Sequence, residues 1–385
     1  MHSLWAFIES NLVVSTVFAV MGMGLFATLT LRARRSAAGG MERRSGGGER
    51  VLILGSGPLA RELVHEMNAR GSRWTIVGVI PEVRSLGPAP PYPVMGSLED
   101  LDAIVGKVRP QRIVVALDER RGRLPVGPLL ESRVRGVAVE QGVEFYERLT
   151  RRLAIDALTP SALIFSGGFQ RRRVAAFVGR GMSLVLSAVA VAMTAPLWPL
   201  IVLCIRLDSH GPAVFTQERV GRGGRKFGLL KFRTMHAEGA NGSSWVRDNT
   251  ARITRAGRFL RWSHLDELPQ FINVLRGDMN LVGPRPHPVS NFELFSDRIP
   301  YYALRAVIRP GVTGWAQVRY RYANTLQEES EKMRYDLYYI KHRSLWLDLR
   351  ILAGTARVLL MGLRGEKKMA EALSAPPHAS GVQPA

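Results

Sequence analysis

The sequence predicts an α/β N-terminal domain and a second, membrane-associated domain, with one N-terminal transmembrane helix ahead of both. Three observations support this fold class. Residues 50–54 form a buried-strand pattern that leads through a glycine-rich turn into a helical pattern. Two long apolar runs, residues 12–31 and 182–205, are each followed directly by an arginine. The length of 385 residues leaves room for two or three domains.

The overall composition indicates a folded protein with an anionic partner. Hydrophobic residues make up 46% of the chain and charged residues 22%, which excludes a largely disordered protein. A net charge of +21 favours nucleic acid, anionic lipid or a nucleotide as that partner. The two apolar runs favour anionic lipid over nucleic acid. Cys204 is the single cysteine, which excludes an intramolecular disulfide and a cysteine-rich zinc site.

The first apolar run predicts a transmembrane anchor within residues 1–31. Its length suffices for a helix to cross a bilayer. Arg32, Arg34 and Arg35 follow it, whereas a secretory signal peptide carries its positive charge ahead of the apolar stretch. The positive-inside bias then places the N-terminus outside and the rest of the chain in the cytoplasm. Residues 32–49 are rich in Gly, Ser and Arg and are predicted to be a basic linker.

Strand and helix patterns occupy residues 50–150. A helix is predicted through Asn68, directly after the first strand. The predicted strands are 50–54, 74–80 and 112–117. Together with the glycine pattern between the first strand and the helix, they predict a Rossmann-like domain. Residues 151–176 are predicted to be a linker.

The turn after the first strand is a candidate nucleotide loop. Gly55, Gly57 and Ala60 match the dinucleotide fingerprint GxGxxA, in which backbone amides at a helix N-terminus receive a pyrophosphate. Glu82 is the candidate acidic partner for a ribose, although it follows Pro81 and is not clearly placed for that role. The pattern favours a Rossmann-like fold whose cofactor is absent or has only a regulatory role.

The second apolar run predicts either a spanning helix or a re-entrant one. A spanning helix would place residues 206 onward outside the cell, away from nucleotide substrates. Pro196 and Pro199 lie near the middle of the run, and Arg180 and Arg206 flank it. These features favour a helix that enters one leaflet, breaks and returns, so residues 177–206 are predicted to be re-entrant.

Two adjacent carboxylates, Asp266 and Glu267, lie among basic residues in the last third of the chain. The blocks 231–235 and 252–261 precede them and the block 309–317 follows them. Basic side chains can hold a multiply charged anion while a carboxylate, or a metal bound to it, acts on that anion. The pair therefore indicates phosphoryl-transfer chemistry, against the alternative of an ordinary Asp-Glu on a helix surface.

Eight sequence blocks follow one another in this part of the chain. They read LDSHGP at 207, QERVG at 217, KFRTM at 231, RIT at 252, DELPQ at 266, NVLRGDM at 273, VGPRP at 282 and RPGVTGWAQ at 309. With these blocks in this order, residues 177–360 closely resemble the bacterial sugar transferase family, the monotopic polyprenyl-phosphate glycosyl-1-phosphate transferases. A membrane segment and a Rossmann-like domain ahead of them also resemble the long members that initiate exopolysaccharide synthesis.

The resemblance implies an activity, a location and partners. The activity is transfer of a sugar-1-phosphate from a UDP-sugar to polyprenyl (undecaprenyl) phosphate with release of UMP, which starts exopolysaccharide or related glycan repeat-unit synthesis. The resemblance implies a mainly α monotopic catalytic domain, residues 207–364, at the cytoplasmic face of the bacterial inner membrane. The implied partners are the UDP-sugar, the polyprenyl phosphate and anionic membrane lipid, without nucleic acid, and a homo-oligomer is left open. Residues 365–385 are predicted to be disordered.

The resemblance also gives roles to the acidic pair. Asp266 is the candidate nucleophile, because attack by a carboxylate on the phosphorus next to the sugar splits one hard step into two. On a helix the side chain of Glu267 would point about 100° away from it. Glu267 is therefore assigned to the metal ion or to proton handling of the acceptor. The implied metal is Mg²⁺, with Asp266 and Glu267 as its candidate ligands.

Several other charged residues are candidates for the same site. Guanidinium and ammonium groups suit phosphate oxygens, and four such residues are the candidate phosphate clamps: Lys231, Arg233, Arg261 and Arg285. Three residues are candidates for additional contributions to the site: Asp336, Asp348 and Arg309.

Two departures from the family pattern affect the membrane segment. The family often begins this segment with Lys-Arg-x-x-Asp, whereas residues 179–183 read GRGMS and lack the aspartate. The helix break often carries Ser-Pro, whereas this chain has Ala195 and Pro196. The missing serine hydroxyl removes one way to satisfy a carbonyl at the break.

Two alternatives remain. An NAD-dependent nucleotide-sugar-modifying enzyme built on GxGxxA would need a Tyr-x-x-x-Lys pair, but neither Tyr92 nor Tyr146 has a lysine four positions later. A catalytically silent membrane scaffold of polysaccharide assembly would not need Asp266 and Glu267, which are both intact.

Overall fold

The computed structural model describes residues 48–71, 73–82, 92–117, 123–155, 173–236, 252–320 and 325–374. These residues divide into two compact units, one within residues 37–169 and one within residues 170–385. We call them the N-terminal unit and the C-terminal unit. The predicted anchor, residues 1–31, lies outside the described residues, as does the predicted linker up to residue 47.

The N-terminal unit is a parallel sheet with helices. Its strands are β1 (Glu49–Leu54), β2 (Trp74–Ile80), β3 (Arg112–Val115) and β4 (Ala138–Gln141). They pair in the order β2-β1-β3-β4, and every pairing is parallel. The helices are α1 (Pro58–Ala69), α2 (Leu101–Val108), α3 (Val126–Val134) and α4 (Gly142–Thr150).

Burial explains why the first strand was readable in the sequence. The four residues 51–54 have no solvent-exposed surface, because a strand in the middle of a parallel sheet is covered on both faces. Strand β2 has the predicted bounds, and β3 ends two residues before its predicted end. The apolar side chains of α2 pack onto the same sheet, with Leu101 fully buried.

The C-terminal unit is mainly helical. Among the described residues its α-helices are α5 (Arg173–Thr194), α6 (Trp198–Asp208), α7 (Arg255–Trp262), α8 (Gln270–Arg276), α9 (Val289–Arg298), α10 (Trp315–Arg319), α11 (Leu326–Lys341) and α12 (Leu345–Ser374). Its strands are β5 (Val214–Val220), β6 (Lys226–Phe232), β7 (Asn280–Val282) and β8 (Gly311–Thr313). Strands β5 and β6 form an antiparallel hairpin, and β7 pairs with β8 in parallel.

Residues 176–208 form a helical segment long and apolar enough to cross a membrane, with a mean hydropathy of 2.2. It is the one such segment in the part of the chain that the structure describes. The segment is interrupted by a 3-10 turn, Ala195–Leu197, between α5 and α6. Pro196 and Pro199 lie at this interruption because proline lacks the amide that would continue the helical hydrogen bonds.

Both ends of the segment are fixed to the C-terminal unit. Near the start, Arg180 donates to the carbonyls of Val274 and Met279, each at 2.8 Å. At the end, the carboxylate of Asp208 accepts from the amide of Ala256 at 2.8 Å. Apolar side chains of α5 and α6 also join the core of the unit around Phe232.

Hydroxyl groups at or next to the two departures from the family pattern form hydrogen bonds with the backbone. Ser183, which stands in place of the family's aspartate, accepts from the amide of Leu281 at 3.3 Å and donates to the carbonyl of Gly179 at 2.9 Å. Thr194, directly before the break, donates to the carbonyl of Ala190 at 2.7 Å. A threonine hydroxyl therefore donates to a carbonyl one turn before the break.

Two helices extend beyond their predicted ends. Helix α5 begins at Arg173, inside the segment 151–176 predicted to be a linker. Helix α12 continues to Ser374, ten residues into the segment predicted to be disordered. The sequence GEKKMAEALS over these ten residues is rich in Ala, Glu, Lys, Met and Leu, which favour helix, and the prolines come only after it.

Candidate active site

The acidic pair lies on a single tight turn between two helices. Leu265–Glu267 is a 3-10 turn that connects α7 to α8, and His264 before it has a positive φ of 57°. The α-helical geometry assumed for the pair is therefore replaced by a 3-10 turn, which has about three residues per turn. Both carboxylates approach the same ammonium group, that of Lys231 on β6.

Glu267 is held by two cations. Its Oε1 accepts from Lys231 at 3.0 Å and from Arg285 at 2.6 Å. Burial would raise the pKa of Glu267, but the charges of Arg285 and Lys231 outweigh burial and hold the pKa well below its usual range. Glu267 is therefore ionised and fixed in orientation at neutral pH.

Asp266 is less constrained than its neighbour. Its Oδ2 lies 4.0 Å from the ammonium of Lys231, and 8% of the residue is exposed. Burial raises the pKa of Asp266, and Lys231 opposes the rise. A carboxylate that is partly desolvated and not tied down by hydrogen bonds is a better nucleophile than one held as Glu267 is. The structure thus gives the two acids different environments.

Arg219, on β5, also takes part in the electrostatics of the site, although it was not among the candidates selected from the sequence. Its guanidinium donates to the carbonyl of Pro286 at 3.0 Å. Burial, with Arg285 nearby, lowers the pKa of Arg219 to about 10, and Glu267 opposes the shift. The residue lies in the block QERVG, whose match to the family was the available signal.

Two candidate phosphate clamps have other partners. Arg261 donates through Nε to Thr234 at 2.9 Å, while its charge lowers the pKa of Asp266. Arg233 is buried, and its guanidinium donates to the carbonyls of Ser209 and His210 at 2.7 and 2.8 Å. A side chain on Gly211, whose φ is +115°, would come within 2.4 Å of Arg233. Arg233 thus fixes the loop after α6.

A buried ionic network lies behind Arg285. Arg305 forms an ion pair with Asp336 at 2.7 Å and donates to the backbone carbonyl of Arg285 at 3.3 Å. Glu329, fully buried, accepts from Tyr302 at 2.9 Å. The network therefore supports the backbone that carries Arg285. It also assigns Asp336, a candidate for additional catalytic contribution, to an ion pair in the interior.

The other two additional candidates also lie apart from the acidic pair. Asp348 accepts from the hydroxyl of Tyr339 at 2.7 Å, and burial raises its pKa to about 6, with this hydrogen bond opposing the rise. Arg309 donates to the carbonyl of Gly277 at 2.9 Å and lines a separate cleft.

The candidate nucleotide loop in the N-terminal unit has a structural explanation of its own. Gly55 has a φ of +120°, and a side chain there would come within 2.2 Å of the carbonyl oxygen of Ala116. Gly57 precedes α1, whose first residue, Pro58, has no amide hydrogen to offer a phosphate. Ala60 is buried against the fold. The close approach of β1 and β3 thus requires the first glycine whether or not a nucleotide binds.

The acidic pair has a donor set that suits Mg²⁺. This ion prefers oxygen ligands and commonly binds through one or two carboxylates together with substrate phosphates. Asp266 and Glu267 offer carboxylate oxygens on one turn. Among the described residues no cluster of three or more metal-ligating side chains occurs, so a metal here would depend on substrate oxygens.

Comparison with known proteins places this part of the chain in a family. The family model for the bacterial sugar transferases matches residues 174–362. A UDP-N-acetylgalactosamine-undecaprenyl-phosphate N-acetylgalactosaminephosphotransferase from Aeromonas hydrophila is 41% identical over 217 residues, which are 56% of this chain and 51% of the relative. An undecaprenyl-phosphate glucose phosphotransferase from Komagataeibacter xylinus is 30% identical over 316 residues, 79% of this chain and 57% of the relative. This chain therefore spans little more than half of the length of either.

A third relative is covered more fully. A UDP-glucose:undecaprenyl-phosphate glucose-1-phosphate transferase from Caulobacter vibrioides is 47% identical over 184 residues, which are 47% of this chain and 69% of the relative. With more than two thirds of that relative aligned, and with a matching family model that covers the acidic pair and its cations, this chain belongs to the bacterial sugar transferase family.

Proposed function

We propose that the chain transfers a sugar-1-phosphate from a UDP-sugar to undecaprenyl phosphate and releases UMP. The observation that carries the proposal is the pair of unequal carboxylates beside Lys231, with Glu267 fixed by two cations and Asp266 left free to react. The relatives, named as transferases of sugar phosphates to undecaprenyl phosphate, support the same substrates. Their names differ in the sugar, so the donor is assigned only as a UDP-sugar.

In the first step an oxygen of Asp266 attacks the phosphorus next to the sugar. A bond forms between that oxygen and phosphorus, and the bond from phosphorus to the bridging oxygen breaks, so UMP leaves with the electron pair. The product is a phospho-sugar ester of Asp266. Lys231 and Arg285, which approach Glu267 within 3.0 Å, lie where they can stabilise the charge on the phosphate oxygens.

In the second step the acceptor phosphate attacks the same phosphorus. The bond to Asp266 breaks, its carboxylate is restored, and the sugar becomes linked to the lipid through a diphosphate. Glu267, already ionised and held in place, is positioned to bind a metal ion or handle the acceptor's proton. Mg²⁺ bound by Asp266, Glu267 and substrate oxygens would neutralise the charge of the diphosphate.

The membrane segment is proposed to be re-entrant, with the catalytic part at the cytoplasmic face of the inner membrane. Three features support this: the break at residues 195–197, the two prolines, and the attachment of both ends to the same compact unit. The acceptor phosphate lies at the bilayer surface, so an enzyme held there meets it without extracting the lipid.

The test is release of UMP by membranes that contain the full chain. They are incubated with magnesium, undecaprenyl phosphate and a panel of UDP-sugars that includes UDP-glucose and UDP-N-acetylgalactosamine. The proposal expects UMP from at least one donor, dependent on the acceptor for continued turnover, and loss of release in Asp266→Asn. Failure of every donor, or full activity in Asp266→Asn, would overturn it.

A further inference from the structure

A basic cleft lies at the turn end of the β5–β6 hairpin. Its volume is about 550 Å³. The cleft is lined by four cations, one carboxylate and one aromatic ring, which belong to Arg222, Arg225, Lys226, Arg309, Asp278 and Phe227. Four positive charges against one negative charge make it a site for an anion.

The cations of the hairpin turn have hydrogen-bond donors available for a ligand. Arg222, Arg225 and Lys226 are all exposed. None of the three forms an ion pair with a carboxylate among the described residues. Three neighbouring cations without partners repel one another, and a bound phosphate would relieve that repulsion. The carboxylate of Asp278 gives the same cleft an acceptor for a hydroxyl group.

The cleft is separate from the catalytic carboxylates. Lys226 and Lys231 are five residues apart on the extended strand β6, which corresponds to about 17 Å at 3.3 Å per residue. Neither residue of the acidic pair lines the cleft, nor do Lys231 and Arg285. The cleft is therefore not needed to explain the transfer chemistry.

One wall of the cleft is fixed to the start of the membrane segment. Gly277 and Asp278 form that wall, and Arg180 holds the carbonyls of Val274 and Met279 on either side of it. Arg180 lies four residues inside the apolar segment 176–208. At a rise of about 1.5 Å per residue this is roughly 6 Å from its end, which is close to the membrane interface if the segment enters a bilayer.

Exposed apolar side chains lie on elements near this part of the molecule. Phe177 is 81% exposed on α5, which packs against α8, and Leu275 is exposed on α8. The hairpin turn packs against the 3-10 helix Tyr302–Val307, whose Val307 is 57% exposed. Apolar side chains beside unpaired cations are the composition of a membrane interface.

We propose that this cleft binds the phosphate of an anionic phospholipid headgroup, with Asp278 accepting from a headgroup hydroxyl such as that of phosphatidylglycerol. The cations of the hairpin turn bind the phosphodiester, and the apolar side chains around them contact the acyl chains. The bound lipid fixes the depth of the C-terminal unit in the bilayer. This site goes beyond the proposed transfer reaction, and its test does not depend on turnover.

The experiment measures retention of phosphatidylglycerol by the detergent-solubilised full chain with native mass spectrometry. Arg225→Glu and, as a second variant, Lys226→Glu are compared with Arg298→Glu, a charge reversal of an exposed residue on α9 outside the cleft. Each cleft variant is expected to bind phosphatidylglycerol about tenfold more weakly than wild type, because a reversed charge replaces an attraction by a repulsion. Arg298→Glu and the wild type are expected to bind equally.

Competitors distinguish the sources of the phosphate. Inorganic phosphate, added at the concentration of phosphatidylglycerol, is expected to leave the bound phosphatidylglycerol in place. Undecaprenyl phosphate is expected to bind equally well to wild type and to Arg225→Glu. Full displacement by inorganic phosphate, or Arg225-dependent binding of undecaprenyl phosphate alone, would overturn the phospholipid assignment. Equal retention by wild type and both cleft variants would do so as well. UMP release in detergent without added phospholipid is expected to be unchanged in Arg225→Glu.

Discussion

Lys231 is the residue that couples the two carboxylates of the site. It donates to Glu267 at 3.0 Å and lies 4.0 Å from Asp266, so one positive charge stabilises the ionised form of both. Burial pushes the pKa of Asp266 upward and Lys231 restrains that rise. Since only ionised Asp266 can attack phosphorus, Lys231 affects both substrate binding and the supply of nucleophile.

Replacing this charge is expected to move the pH profile. In Lys231→Met the pKa of Asp266 rises further, so Asp266 stays protonated up to a higher pH. The acid limb of the rate profile therefore moves to higher pH. At neutral pH the loss of one phosphate contact is expected to lower kcat by about 100-fold. The measurement is UMP release against pH. Lys231→Arg, which keeps the charge, should retain the wild-type acid limb, and an unshifted limb in Lys231→Met would contradict the assignment.

Arg233 shows that a basic residue in a family block can be structural. Its guanidinium donors are directed at the carbonyls of Ser209 and His210. In Arg233→Met these buried carbonyls lose their donors, and the free energy of unfolding is expected to fall by about 3 kcal/mol. Chemical unfolding measures this, with Arg258→Met, at an exposed position on α7, as the control. A raised KM for the UDP-sugar without loss of stability would show that Arg233 binds substrate instead.

For single residues, sequence patterns predicted which side chains belong to the site better than which contacts those side chains make. The acidic pair and Lys231 were selected from charge pattern and family blocks, and the structure brings them together. Arg219 was not selected, because its role depends on a β-bridge to Pro288 that places it beside Pro286. Asp336 was a candidate for a further acidic contribution. Its partner, Arg305, lies on another helix, and a sequence pattern does not show that the two side chains form an ion pair.

Among the elements, the interrupted helix has the largest consequence for function. The prolines predicted the break at residues 195–197. The sequence could not indicate that Ser183 and Thr194 would supply hydrogen bonds near the positions where the family pattern has other residues. These bonds depend on which backbone groups the fold brings close to each hydroxyl, and a one-dimensional pattern does not contain that information.

The topology of this element can be tested by thiol labelling. In a Cys204→Ser background, single cysteines replace Glu131, before the segment, and Glu293, after it; both are exposed. A re-entrant helix leaves both positions on one side, so a membrane-impermeant reagent is expected to label neither in intact cells and both after permeabilisation. Labelling of the Glu293→Cys variant alone in intact cells would indicate a spanning helix.

For the whole molecule, the chemistry is concentrated in one of the two units. The family match covers residues 174–362, within the C-terminal unit, while the similarity to the Komagataeibacter relative extends over 79% of the chain and so includes part of the N-terminal unit. The strand pattern of the N-terminal unit was readable because buried parallel strands are continuous apolar runs. Its glycine-rich loop did not indicate whether a nucleotide binds, because the close packing against Ala116 by itself requires a glycine at position 55.

If Asp266 is the nucleophile, it carries the phospho-sugar after the first step, and intact-protein mass spectrometry detects this adduct. The full chain is incubated with its UDP-sugar and magnesium, without undecaprenyl phosphate. We expect one added sugar phosphate, located on Asp266 by peptide mapping, discharged when the acceptor is supplied and absent from Asp266→Asn. Glu267→Gln is expected to retain the adduct and to transfer it slowly. An adduct of equal yield on Asp266→Asn, or transfer to the acceptor with no adduct on the wild type, would contradict the claim.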